Sequence, residues 1–286
     1  MLFRSLGQTG SHLAAGDAVT FRLRYVLRPG DWFSVLDHVA RRIYRVGDLL
    51  ELQQPRRSLS DRLHAMHRYV TDPVTSLWQT EAYQGVTIGA QAYRGGVLNA
   101  QGDAMKNSDH GAMWMLAQLS GDPALVRDRL PFARNFKLHQ QERTPGFFAG
   151  AAAGQYYLAK SRRFTEEWGD YVEPVALTYY VLLDLGNILL FAPGDAELRE
   201  RFRLGAERLR QWQHPDGHWE IAYDRATQRP LFRDLPDLRP TFYGLLVAHR
   251  VLGDPAYLAA ARRGADWLIA HRSEEHTSEL QSLTNL

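Results

Sequence analysis

The chain has 286 residues, with 34 Lys+Arg against 32 Asp+Glu, 11 His and no Cys. At 45% hydrophobic and 23% charged residues, a chain of this length buries a core without covalent staples, as ordinary globular proteins do. The missing Cys excludes disulfide scaffolds, thiolate metal sites and cysteine nucleophiles but leaves the compartment open, and a net charge of +2 argues against a surface that coats nucleic acid.

In chain order, Gly16-Asp17 signals a turn, and Val19 to Leu27 alternates apolar with polar residues until Pro29-Gly30 ends the pattern. Residues 6–30 therefore read as the last strands of a truncated β domain. From Asp31 the period becomes helical. Asp31 suits the N-cap of a helix over Trp32–Val46, with Trp32, Val35, Leu36, Val39 and Ile43 on one stripe. Three related segments follow: GDPALVRDRLPFA from Gly121, GDAELRERFRLGA from Gly194 and GDPAYLAAARRGA from Gly253. In each the Gly ends one helix and the Asp caps the next, with Pro suited to the first turn. An apolar helix precedes each one: His110–Leu119, Val175–Phe191 and Thr241–Leu252. This is a helical-hairpin repeat. Phe147 to Gln155, rich in Ala and Gly, reads as a closely packed helix. The longest apolar run, Val175–Phe191, is interrupted by Asp184 and Asn187, so no membrane insertion is expected.

The ends carry a different signal. Arg272–Leu286 reads RSEEHTSELQSLTNL, and Met1–Ser5 reads MLFRS. Back-translated, both resemble a sequencing adapter, so 1–5 and 272–286 are expected to be artefact, flanking a natural segment cut at both sides. The segment's own start would then be missing; the reading leans to a periplasmic or secreted protein.

Within a hairpin the links are short Gly-Asp turns; between hairpins they are long, Glu142–Val172 and His214–Arg239, and rich in acids and aromatics. MKNSDHGAMWMLAQLSGD, EEWGDYVEPVALTYY and DLRPTFYGLLVAHRVLGDPAYLAAARRGADW resemble bacterial members of the six-hairpin glycosidase superfamily. The resemblance implies a mainly α, (α/α) helical-hairpin toroid over 31–271, with chemistry at the long-loop end. At roughly 60 residues per hairpin it would be incomplete, with about four hairpins.

That resemblance points to a carbohydrate-active enzyme, first a glycoside hydrolase, which needs one carboxyl group to protonate the leaving oxygen and a second to attack or to activate water. The candidates are Glu167 and Glu173 from EEWGDYVEP and Asp109 at a helix start, although each equally suits a cap or a solvated loop. Trp78, Tyr83, Trp168 and Trp219 would offer faces to sugar rings, with His139, Asp184 and Arg239 as polar contacts; core packing is the competing reading for the aromatics, and an ion pair for Asp184. Gln213 to Trp219 fits Q-x-x-D-G-x-W, which resembles the repeat of triterpene cyclases and protein prenyltransferases. Physically it is a clasp, with Gln213 on helix-end carbonyls, a turn at Asp216-Gly217 and Trp219 packed over it. A uronate lyase or sugar epimerase is the second reading, favoured if His139, Tyr156 or Tyr157 shares a pocket with Arg134 or Lys137. A non-catalytic glycan-binding toroid is the third. The histidines show no metal-ligand spacing, so neither metal nor cofactor is expected. The expected partner is a carbohydrate and not nucleic acid; the oligomeric state is left open.

Overall fold

A computed structural model describes residues 16, 18, 22–51, 58–106, 110–167, 169, 171–172, 178–232, 235 and 237–284. The chain divides into two compact units, Met1–Ser58 and Leu59–Leu286.

In the first unit Asp31 caps α1 (Trp32–His38) by accepting from the Ser34 amide at 2.7 Å, and the helix continues as a π-helical turn over Val39–Ile43. A short α2 (Val46–Glu51) follows. The alternating stretch forms no strand over residues 22–27, and Leu27 is 98% exposed. Alternation stabilises a strand only where a neighbour completes the ladder and one face is buried, and neither condition is met among the described residues.

The second unit opens with α3 (Leu59–Thr71) and then departs from expectation. Five strands form one antiparallel sheet in the order β1-β2-β5-β6-β7: β1 (Trp78–Tyr83), β2 (Val86–Tyr93), β5 (Ala104–Lys106), β6 (Tyr156–Leu158) and β7 (Arg163–Thr165). Between β2 and β5, β3 (Gly96–Val97) and β4 (Ala100–Gln101) make a small hairpin. Later β8 (Tyr171–Val172) pairs with β9 (Tyr223–Asp224). About half of the chain is helical, and with these sheets it is a mixed α/β arrangement, not a mainly α toroid. The physical reason lies in the first hairpin. Gln84 and Gly85 both take positive φ, the geometry of a type I′ turn, which matches the twist of the strands it joins.

The helical hairpins do form. α4 (His110–Ser120) leads into α5 (Pro123–Asp128) and α6 (Leu130–Gln140); α7 (Tyr180–Phe191) pairs with α8 (Ala196–Trp212); α9 (Phe242–Leu252) pairs with α10 (Pro255–Thr284). Asp122, Asp195 and Asp254 each accept an amide of the helix that follows, at 2.8, 3.0 and 2.8 Å. Gly121 and Gly253 stand in the left-handed region that ends a helix. Leu182, Leu185 and Ile188 of α7 meet Phe202, Ala206 and Leu209 of α8 and Leu245 and Ala248 of α9 in one core.

Phe147 to Gln155 is not a helix: Gly150 takes φ +88°, and the segment folds back so that Ala153 donates to the Gln140 carbonyl at 2.6 Å. The sheet's two faces follow the period of two. Ile88, Ala90, Met105, Tyr157 and Phe164 pack with Phe136 of α6, whereas Ala104, Tyr156 and Leu158 pack with Val97 and Tyr93. Among the described residues no helix is long and apolar enough to cross a membrane.

Candidate functional site

A cavity of about 470 Å³ lies where the end of α6 meets the first hairpin and the loop after α6, within the size range of small-molecule sites. Tyr83 ends β1, Gln84 is in the turn, His139 is in the last turn of α6, and Glu142, Arg143 and Thr144 follow it. Arg163 from β7 and Arg225 just after β9 complete the charged lining among the described residues, three guanidinium groups against one carboxylate.

The turn sets up the two groups able to move a proton. His139 Nδ1 lies 3.2 Å from Gln84 Oε1; donation from Nδ1 to that oxygen leaves the lone pair on Nε2. The same amide donates from Nε2 to the Tyr83 hydroxyl at 3.1 Å, leaving that hydroxyl's own proton to be donated elsewhere. The Tyr83 and His139 rings meet edge to face, 5.4 Å between centroids. Burial pushes the His139 imidazole below its ordinary pKa, and the positive charges of Arg143 and Arg201 push it further; Glu197 offsets part of this. It is therefore neutral near pH 7, with a lone pair free to accept a proton. Burial and then Glu142 raise the Tyr83 phenol, which stays protonated. For Glu142 burial acts upward, but hydrogen bonding by Thr144, whose amide lies 2.8 Å from Oε1, and the Arg225 charge outweigh it and keep the carboxylate ionised. Arg225 is fixed by a bond to the Ala153 carbonyl at 2.6 Å, and Arg143 forms no ion pair among the described residues.

Of the expected site residues that are described, only Tyr83 and His139 meet in this cavity. Glu167 lies on the other face of the sheet, where its two oxygens accept from Tyr93 at 2.8 Å and Tyr156 at 2.9 Å, while Lys106 Nζ stands over both rings. Asp109, Glu173 and Trp168 lie outside the described residues. Asp184 is ion-paired with Lys137, which is 2% exposed, so it serves the core and not a pocket. Trp219 is 3% exposed and donates to the Leu209 carbonyl at 2.8 Å, which removes its face from any sugar. Arg239 binds buried Asp237 at 3.0 Å, an anchor for the loop before α9. Trp78 is partly buried in β1 with the Arg129 guanidinium stacked on its ring at 5.1 Å. Tyr156 and Tyr157 point to opposite faces, and Arg134 is held by Asp195 and Glu197, so neither Arg134 nor Lys137 supplies the cavity's positive charge.

Arg143, Arg163, Arg225, Gln84 and Glu142 were not singled out from sequence. The Gln84-Gly85 dipeptide between two alternating stretches was the available signal, because it predicts the hairpin that brings Tyr83 to His139. No protein-family model, curated protein or solved structure matches the chain.

Proposed function

We propose that this protein acts on an acidic carbohydrate by removing the proton beside the sugar carboxylate, and that the outcome is elimination. The observation that carries this reading is the cavity in which a neutral imidazole and a protonated phenol share space with three arginines. Guanidinium groups suit a carboxylate through paired N–H donors, and neutralising that carboxylate acidifies the neighbouring C–H. His139 Nε2 takes the proton from C5. The C–H electron pair becomes the C4–C5 double bond, the bond from C4 to the glycosidic oxygen breaks, and that oxygen takes the Tyr83 proton. Base and acid stand side by side, 5.4 Å between rings, which suits removal and donation on one face of the sugar. Epimerisation would need the second proton delivered from the opposite face.

Hydrolysis by a carboxylate pair is less well served. Among the described residues the cavity offers Glu142 as its one carboxylate, held ionised, whereas glycosidases set two carboxyl groups roughly 5–10 Å apart.

The test is a panel of uronate-containing and neutral oligosaccharides, read for the ultraviolet absorbance of an unsaturated uronate and by mass. The reading expects cleavage of uronates without uptake of water, lost in His139→Ala. Cleavage of neutral sugars with gain of one water would overturn it.

A further inference from the structure

A second cluster lies away from that cavity, in the loop between α8 and β9, and owes nothing to the reading of His139. Here His214-Pro215-Asp216-Gly217-His218-Trp219-Glu220 is pinched into a tight turn. The His214 amide donates to the His218 carbonyl at 2.9 Å, and the Gly217 amide donates back to the His214 carbonyl at 3.0 Å. Gly217 takes φ +113°, and a Cβ there would sit 2.3 Å from the Arg263 carbonyl of α10, so only glycine allows this approach. Gln213 Nε2 donates to the Gly217 and Ala260 carbonyls at 3.0 and 2.9 Å, and its oxygen accepts from Arg263 at 2.8 Å. These bonds account for the Gln, Gly and Trp of the motif. They use no side chain of His214, His218 or Glu220; His214 Nε2 instead lies 3.1 Å from Glu220 Oε1, so two of the three side chains already converge.

We infer that His214, His218 and Glu220 form a binding site for a late first-row divalent metal ion, with zinc as its best fit. One ligand atom from each of the three lies within 4.8 Å of the other two. Around a tetrahedral ion with bonds of about 2.0–2.1 Å the ligand atoms stand about 3.3 Å apart, so closing the site asks for side-chain movement on a clasped backbone. Two imidazoles and one carboxylate are a nitrogen–oxygen set that suits zinc, cobalt, nickel or copper and disfavours calcium and magnesium. A further carboxylate is already placed behind the ligands. Asp216 Oδ1 is 2.6 Å from His218 Nδ1, a bond that fixes the proton on Nδ1 and leaves Nε2 as the donor to a metal. His214 and Glu220 also line a separate cavity of about 370 Å³ walled by Phe147, Trp212 and Tyr223, so the fourth position opens onto a space able to hold water or a small ligand.

One rearrangement is required. The His214 and His218 rings are stacked 4.0 Å apart and 5° from parallel, and His214 Nε2 rests on Glu220 Oε1, so the three ligand atoms do not yet surround one point. Convergence on an ion turns one ring out of the stack, and His214, with a side chain 38% exposed against 23% for His218, has the solvent-side room to turn.

The experiment is calorimetric titration of zinc into the tag-free, chelator-treated full chain, with Co2+ absorption as the second readout. The site predicts one saturable zinc per chain, no competition from Ca2+ or Mg2+, and Co2+ bands of a four- or five-coordinate nitrogen–oxygen centre. Glu220→Gln, which keeps shape, should weaken zinc at least tenfold, and Asp216→Asn about tenfold through the outer hydrogen bond. His214→Ala/His218→Ala should abolish the saturable event. The wild-type spectrum needs no variant to fold, so misfolding cannot mask the answer. A purely octahedral Co2+ spectrum, or zinc affinity unchanged in the double variant, would overturn the site.

Discussion

The two faces of the five-stranded sheet carry similar residues and put them to opposite uses. On one face Glu167 accepts from Tyr93 and Tyr156 while Lys106 lies over both rings, a closed network in which each polar group finds a partner within the protein. Beside the other face, Tyr83 and His139 are oriented by a single amide, and arginines line an open cavity. A buried polar network that satisfies itself holds a fold together. Polar groups gathered around a space are arranged for something that enters it. The difference teaches that Glu167, the more conspicuous acid in the sequence, is satisfied within the scaffold, whereas the less conspicuous His139 borders the cavity to which the proposed chemistry is assigned.

The largest expected effect comes from removing the base. His139→Ala should lower kcat/KM by about 10²–10⁴-fold, the range of a general base, with little change in Tm, because the side chain is only half-buried. Arg143→Ala comes next. Losing one charge-assisted contact to the sugar carboxylate should cost about 10–100-fold in kcat/KM on uronates and nothing in fold, as steady-state kinetics on both variants will show. Glu167→Ala is the converse test. Two phenol donors lose their acceptor, which should cost about 1–3 kcal/mol in chemical denaturation and leave turnover intact. If turnover fell as far as in His139→Ala, the assignment of the two faces would have to be reversed.

The smallest effect is in pH. In the proposed mechanism His139 acts as the neutral form, and its folded pKa lies below the ordinary imidazole value of about 6.5, so the acidic limb of kcat/KM should fall below that value. Arg143 is one cause of the depression, so Arg143→Ala should move that limb upward. Stability follows the same sign. As pH drops below about 6.5 the unfolded chain takes up this proton first, so the His139 contribution favours unfolding there and vanishes above it.

The hairpins were legible because Gly-Asp-Pro acts locally. A helix stop, a cap at Asp122 or Asp254 and a first-turn Pro need only a few neighbouring residues, and the structure uses them as the sequence implies. The sheet was not legible in the same way. β5, β6 and β7 are three residues each, too short for an alternating pattern, and β5 and β6 lie about fifty residues apart in the chain. Alternation misled in the reverse direction at residues 22–27, where no partner strand is described. For the site, Tyr83 and His139 were visible as an aromatic and a polar residue near long loops, but their meeting depends on the Gln84-Gly85 turn lying over the end of α6. The cavity arginines come from three separate segments, a convergence that residue spacing does not carry. Asp184 shows the limit differently: an acid in an apolar helix signals a partner, and Lys137, forty-seven positions away, is known only once the helices pack.

The most direct test of the account is proton exchange at the carbon beside the carboxylate, followed by NMR in D2O with an acidic oligosaccharide and full-length protein. The account predicts loss of the C5 proton with formation of a C4–C5 double bond in the wild type, none in His139→Ala, and the wild-type result in Glu167→Ala. Cleavage with the C5 proton retained, or C5 exchange that survives His139→Ala, would contradict it.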